Sequence, residues 1–158
     1  MKKVFAFLVF MGIFFTCYSQ KIGNINNPQM GFTMSMFNLS EVPANQPILY
    51  IFLPNSNNFS PNVNIVTQEY NDSIEKYKEI SDGQFKSQGM TVISSIIEKG
   101  KFISEYEAQN NDVMLHFYGI AYLKIDKIYL ITGTSTKEQW NQYGTEIKRV
   151  VNSFEFTK

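Results

Sequence analysis

Alternation of apolar and polar side chains from Met114 to Thr134 predicts two long strands that fold back on each other at Asp126-Lys127. Successive residues of a strand point to opposite faces of its sheet. The odd-numbered positions of the first strand are apolar or small, and the even-numbered positions are larger and more amphipathic. Gly119 and Ala121 flatten the odd face, so we expect a helix to pack there, and the helix that contains Trp140 is our candidate.

Hydrophobic periodicity elsewhere predicts five shorter strands and two helices. The run Ile48–Leu53 is apolar throughout, and its length favours a strand that is buried on both faces. Asp72 is a predicted helix N-cap, and Ser135–Glu138 fits a capping box that opens the second helix. The predicted shorter strands are residues 31–37, 48–53, 63–69, 90–98 and 102–108, and the predicted helices are residues 72–88 and the one that follows residue 135.

This order of elements excludes a doubly wound parallel sheet, because only one helix lies between strands. We predict an α+β fold with a mostly antiparallel sheet of six to seven strands, flanked by two helices. Helices on one face of the sheet and helices on both faces are equally compatible with the pattern. No internal repeat interrupts the chain, so residues 30–158 are predicted to form a single domain.

Residues 1–19 have the composition of an export signal. Lys2 and Lys3 precede an apolar run from Val4 to Phe15, and cleavage would make Gln20 the new N-terminus. The run is too short for a membrane span. We therefore expect an exported protein, periplasmic or secreted, with no membrane-spanning segment after the signal is removed.

Cys17 is the only cysteine, and it offers an alternative in which a lipid-bearing cysteine tethers the chain as a lipoprotein. If the signal is removed instead, the domain has no thiol for a disulfide, a nucleophile or a metal site. Residues 20–29 are rich in Asn and Gly, and we predict a flexible lead-in there.

The charge pattern disfavours binding to nucleic acid. The 14 basic residues are matched by 14 acidic residues, no basic run is present, and Arg149 is the only arginine. Phosphate recognition needs clustered cations. We therefore predict no nucleic-acid partner and expect an envelope protein or a small ligand instead.

The even face of the long hairpin is the predicted partner-binding surface. It carries His116, Tyr118, Tyr122 and Tyr129. Tyrosine combines apolar area with a polar tip and is common in binding surfaces. The competing interpretation is that these rings pack beneath a second layer of the domain.

Our leading hypothesis is an exported, non-enzymatic binding or assembly module of the bacterial envelope, and the alternative is a small secreted hydrolase. Glu105 and Glu107 share one face of a strand, and together with His116, the only histidine, they could do acid–base chemistry. Alternating strands, however, commonly place such glutamates at a solvated edge. The sequence contains no nucleophile elbow, phosphate loop or calcium-loop spacing. We therefore predict no enzyme activity, no cofactor and no metal site.

The stretch Phe59–Val66 (F-S-P-N-V-N-I-V) resembles the start of the sheet in the PsbP-like superfamily. A helix of the type S-I-E-K-Y, a strand ending in Y-L-I-T-G-T and a closing V-N-S-F follow in the order of that family, so the similarity covers residues 30–156. The superfamily includes PsbP of photosystem II, DcrB-like and LpqN-like exported proteins, and a Ran-binding nuclear import factor. The resemblance implies an antiparallel sheet flanked by helices. It implies no reaction, because the members share architecture and little else.

Overall fold

The computed structural model describes residues 24–27, 32–35, 47–53 and 59–156. These residues belong to two compact units, residues 1–41 and residues 42–158. The single domain predicted for residues 30–158 stays a prediction. The predicted export signal, residues 1–19, and Cys17 within it lie outside the described residues.

The first unit contains a two-stranded antiparallel sheet of β1 (Asn24–Asn27) and β2 (Phe32–Ser35). β2 lies within the strand predicted at residues 31–37. β1 lies within the stretch for which we predicted a flexible lead-in. Its ladder with β2 supplies backbone hydrogen bonds that the polar composition did not indicate.

The second unit is a six-stranded antiparallel sheet with two helices, which confirms the predicted α+β fold class. The strands lie in the order β3-β4-β8-β7-β6-β5 across the sheet. The elements are β3 (Pro47–Phe52), β4 (Asn62–Glu69), α1 (Ile74–Ser87), β5 (Thr91–Glu98), β6 (Lys101–Asn110), β7 (Val113–Lys124), β8 (Lys127–Thr136) and α2 (Lys137–Asn152).

The predicted hairpin is β7 and β8, and its register confirms the predicted faces. Leu123 lies opposite Ile128, so the odd face of β7 continues on the even positions of β8. The turn consists of Ile125 and Asp126, with φ angles of 47° and 55°. A two-residue turn that matches the twist of a hairpin needs positive φ at both positions. Ile125 meets this requirement without glycine, and its side chain is exposed.

The N-cap of each helix in the second unit lies one residue later than predicted. The hydroxyl of Ser73 accepts a hydrogen bond from the backbone of Lys76 and caps α1, while the predicted cap Asp72 accepts one from the backbone of Ser73. Thr136 forms a capping box with Gln139 at the start of α2. The hydroxyl of Ser135 instead donates a hydrogen bond to the carbonyl of Thr136.

The two helices lie on opposite faces of the sheet. α1 packs over β5 and β6 on the odd face, where Phe85 belongs to a core with Phe102, Tyr106 and Phe117. α2 packs over β4, β7 and β8 on the even face, where its apolar residues meet Ile120. The expectation that the helix with Trp140 packs on the odd face is therefore wrong.

A glycine on the even face explains this placement. Gly133 lies opposite Tyr118, and a Cβ at Gly133 would lie 2.0 Å from Cγ2 of Ile147 in α2. On the odd face, a Cβ at Gly119 would meet Oγ of Ser104 at 3.4 Å, and no helix atom is as near. The close approach of a helix thus depends on Gly133 rather than on Gly119.

We expect Gly133→Ala to lower the free energy of unfolding by about 1–3 kcal/mol, because the added methyl group overlaps Ile147. Gly119→Ala is the matched control. Its new Cβ would make only tight to ordinary contacts, and alanine suits a strand better than glycine. Urea unfolding followed by circular dichroism measures both. Equal effects of the two substitutions would contradict this explanation of the helix placement.

Candidate functional site

His116 joins two glutamates beneath α2. Its Nε2 lies 2.9 Å from Oε1 of Glu105, and its Nδ1 lies 3.3 Å from Oε1 of Glu107. The register of β6 and β7 explains this meeting, because Glu107 lies opposite His116 and Glu105 lies opposite Tyr118. The hydrolase alternative predicts these three side chains within hydrogen-bonding reach in one cleft. The structure brings them within reach of one another but buries His116.

α2 completes this ionic cluster with two lysines. Nζ of Lys137 lies 2.8 Å from Oε2 of Glu107, and Nζ of Lys148 lies 2.8 Å from Oε2 of Glu105. The indole of Trp140 stacks on His116, with ring centroids 3.8 Å apart and planes 19° apart. The ionic cluster, Glu105, Glu107, His116, Lys137 and Lys148, therefore ties α2 to β6 and β7.

The lysines determine the protonation of the two carboxylates. Burial raises the pKa of Glu105, but hydrogen bonds from Lys148 and His116 together outweigh it, so the pKa lies below its ordinary value. The hydrogen bond from Lys137 lowers the pKa of Glu107, and partial burial opposes this only in part. Both carboxylates consequently remain ionised well into the acidic range.

The charged groups of the ionic cluster are paired with one another. A general acid or base must exchange a proton with a substrate. Here each ring nitrogen of His116 contacts a carboxylate, each carboxylate contacts a lysine, and His116 is only 5% exposed.

Among residues 24–27, 32–35, 47–53 and 59–156, no group of three His, Cys, Asp or Glu side chains could hold a metal ion. In the described part of the chain, neither helix is long and apolar enough to cross a membrane.

The four predicted partner-binding residues lie in two different environments. His116 and Tyr118 are buried beneath α2, where the hydroxyl of Tyr118 accepts a hydrogen bond from Nδ2 of Asn152 at 3.2 Å. Tyr122 and Tyr129 are half-buried. The first pair thus fits the interpretation of rings packed beneath a second layer, and a partner-binding role for the four residues stays a prediction.

Tyr122 and Tyr129 meet the end of the chain. The ring centroid of Tyr129 lies 5.0 Å from that of Phe156, and the ring centroid of Tyr122 lies 5.3 Å from that of Phe154. Nζ of Lys124 lies 4.2 Å from the centroid of Phe156. These rings extend the core of the even face beyond the end of α2.

The exposed aromatic residues of β3 were not predicted from the sequence. We predicted that Ile48–Leu53 is buried on both faces, and this is wrong because β3 is an edge strand of the sheet. Tyr50, Ile51 and Phe52 are 44%, 46% and 62% exposed. The rings of Tyr50 and Phe52 are nearly parallel, with centroids 5.5 Å apart. The sequence did carry a signal, since prolines border this run and proline is confined to edge strands and strand ends.

Comparisons with known proteins add information about the fold. A scan against models of protein families found no match, and a search of curated proteins found none either. The protein of unknown function PA94 from Pseudomonas aeruginosa is similar in structure, with a TM-score of 0.59 and 11% identity over 89% of this chain and 99% of that chain. Cyanobacterial PsbP (CyanoP) from Synechocystis sp. PCC 6803 matches with a TM-score of 0.46 and 12% identity over 93% of this chain and 99% of that chain.

The fold implied by the resemblance to the PsbP-like superfamily is confirmed. The architecture is the expected antiparallel sheet with flanking helices. At 11% identity, the likeness to PA94 shows a shared fold and nothing of function. Membership of the PsbP-like superfamily stays a prediction.

Glu105→Gln should lower the free energy of unfolding by about 2 kcal/mol at neutral pH, because it leaves Lys148 and His116 facing a neutral amide. Glu146→Gln is the matched control. It removes an ion pair with Arg149 on the exposed surface of α2, and exposed pairs contribute about 0–1 kcal/mol. Thermal unfolding measures both. A cost for Glu105→Gln no larger than that of the control would show that the ionic cluster does not hold α2.

Acid should weaken the folded state in a defined pH range. The pKa of Glu105 is lowered from its ordinary value of 4.5, so its contribution to stability is fully present above that pH. The contribution is lost as the pH falls through the lowered pKa of the folded protein. Unfolding experiments from pH 7 to pH 2 should therefore find that wild type and Glu105→Gln converge in acid. A constant difference at all pH values would contradict this assignment.

Proposed function

We propose that the protein is an exported, non-enzymatic binding or assembly module of the bacterial envelope, located in the periplasm or secreted. The export signal predicted at residues 1–19 supports the location. The exposed aromatic residues of the edge strand β3 support the binding role, and this observation carries the proposal.

β3 has the features of a binding edge. Its residues Tyr50, Ile51 and Phe52 are consecutive, apolar and exposed on both faces of the strand. An edge strand can pair with another chain, and natural proteins commonly guard such edges with charges or bulges. β3 carries no charged residue, and its register shift lies at its start, between Pro47 and Leu49. Exposed apolar patches of this kind are typical of interaction sites.

The ionic cluster favours a non-enzymatic role. Its two carboxylates and its histidine are paired with one another and with two lysines beneath a helix. The second candidate is a small hydrolase, which the contacts of His116 with Glu105 and Glu107 favour. Hydrolysis would require α2 to move, because Trp140 stacks on the imidazole.

Tethering through Cys17 is a variant of the same proposal, in which the module is a lipoprotein. The intact mass of the native protein distinguishes the two forms. A chain that begins at Gln20 supports simple export, and a lipid adduct on Cys17 supports the tether.

The mature protein should capture a specific partner from an envelope extract of the organism that produces it, and Tyr50→Ser/Phe52→Ser should abolish the capture. Val92→Ser/Ile96→Ser is the matched control, because Val92 and Ile96 are 43% and 47% exposed on the opposite edge strand, β5. Quantitative mass spectrometry of the captured material measures the difference. No capture by wild type, or equal capture by both double variants, would contradict the proposal.

The hydrolase candidate has a separate test. Wild type and His116→Gln are compared on model ester, peptide and glycoside substrates. We expect no hydrolysis by either protein, since the imidazole is enclosed. Turnover by wild type that His116→Gln abolishes without unfolding would establish the hydrolase and overturn the non-enzymatic proposal.

A further inference from the structure

A row of small and polar residues crosses the odd face of the sheet. The strand registers place these residues side by side on six strands: Tyr50, Asn64, Thr132, Gly119, Ser104 and Ser95. On one side the row is bordered by apolar residues: Val66, Leu130, Ala121, Phe102 and Ile97. On the other side it is bordered by Phe52, Asn62, Thr134, Phe117 and Tyr106. The row therefore forms the floor of a shallow trough that widens at Asn62 and Thr134, where the border is itself polar.

α1 covers only one half of this trough. It packs over β5 and β6, where Asp82 of the helix accepts a hydrogen bond from Ser95 and where Ser104 is buried. Among the described residues, α1 packs mainly over β5 and β6, and Ile128 of β8 joins the core of Ile74 and Phe85, whereas Tyr50, Asn64 and Thr132 belong to neither core. Asn64 and Thr132 are half-buried there, and Tyr50 is exposed.

The uncovered half is a strip of aromatic, amide and hydroxyl groups. We call it the open strip and define it as Tyr50, Phe52, Asn62, Asn64 and Thr132. It spans β3, β4 and β8, so it extends over two strand spacings, about 10 Å. The two rings lie at the edge of the sheet, and the amides and the hydroxyl lie further in.

The open strip carries no charge. The chain contains no Asp, Glu, Lys, Arg or His between residues 42 and 68, although 18% of all its residues are charged. The residues that β8 contributes to this face, Ile128, Leu130, Thr132 and Thr134, are neutral as well. An ionic ligand would find no counter-charge here, which disfavours phosphates, nucleic acids and strongly charged peptides.

We infer that the open strip binds a neutral, hydroxyl-rich carbohydrate chain. This inference rests on the proposed binding role and names the class of ligand. The rings of Tyr50 and Phe52 offer apolar surface to the C–H faces of sugar rings. The amide of Asn64 and the hydroxyl of Thr132 both donate and accept, as sugar hydroxyl groups do. The amide of Asn62 keeps its oxygen as an acceptor, because its Nδ2 donates to the carbonyl of Ser60 at 3.2 Å. The length of the strip corresponds to a disaccharide unit lying across the strands.

A second copy of this chain is the competing occupant. Two β3 edges could pair, which would bury Tyr50 and Phe52 against the same residues of the other copy. That contact would run along the strand edge and would leave the amide of Asn64 and the hydroxyl of Thr132 unused. The polar composition of the floor therefore favours the carbohydrate.

The probes are neutral tetrasaccharides of β-linked N-acetylglucosamine, β-linked glucose and α-linked glucose. Each is titrated into the isotope-labelled protein without its export signal, and the backbone amide shifts are followed by nuclear magnetic resonance. We expect saturable shifts at Asn64 and Thr132 with at least one probe. Asn64→Ala and Tyr50→Ser should each weaken that binding about tenfold, the effect of losing one good contact. Val92→Ser on the opposite edge should leave it unchanged.

Two results would overturn the inference. One is the absence of saturable shifts with all three probes, and the other is binding that Asn64→Ala and Tyr50→Ser leave unchanged. A dimer that Phe52→Ser converts to a monomer, with no carbohydrate bound, would assign the strip to a second copy instead. Failure with carbohydrates does not decide the proposed function, because capture of an envelope partner by the edge of β3 is measured independently.

Discussion

The contact between Ile147 and the bare backbone at Gly133 is the constraint on which the second unit depends. It allows α2 to lie directly on β8, so that Val151 also approaches the sheet. With α2 in this position, its lysines reach the carboxylates of β6, and Trp140 covers His116. The absence of one methyl group therefore explains why the only histidine is part of the packing beneath a helix rather than an open site.

The same placement determines which part of the sheet stays accessible. α2 covers β4, β8 and β7 on the even face, and α1 covers β5 and β6 on the odd face. The helices are thus offset across the sheet, and among the described residues Tyr50, Asn64 and Thr132 on the odd face belong to neither helix core. This part of the odd face carries exposed rings beside uncharged polar groups, whereas Glu105, Glu107 and His116 contact one another on the even face. This division supports the proposed binding role.

Alternation alone was enough to predict the faces of the long hairpin, because the pairing of Leu123 with Ile128 follows from the period of a strand. The face that receives α2 was not predictable. Both faces contain small residues, Gly119 on one and Gly133 on the other, and only the distance to Ile147 distinguishes them. The ionic cluster needed the register of β6 and β7 as well, since a slip of one residue would move Glu105 and Glu107 to the opposite face. β3 is exposed because it has a neighbouring strand on one side only among the described residues; its apolar run did not indicate this, although the bordering prolines did.

The aromatic residues of β3 face solvent, whereas His116 and Tyr118 beneath α2 are buried. Hydroxyl-radical footprinting of the folded protein tests this difference most directly, with mass spectrometry to count oxidation at each residue. Tyr50 and Tyr118 have the same intrinsic reactivity, and they are 44% and 9% exposed. We expect Tyr50 and Phe52 to be oxidised several times faster than Tyr118 in the folded protein, and we expect this difference to disappear in urea. Equal protection of Tyr50 and Tyr118 in the folded protein would contradict this expectation.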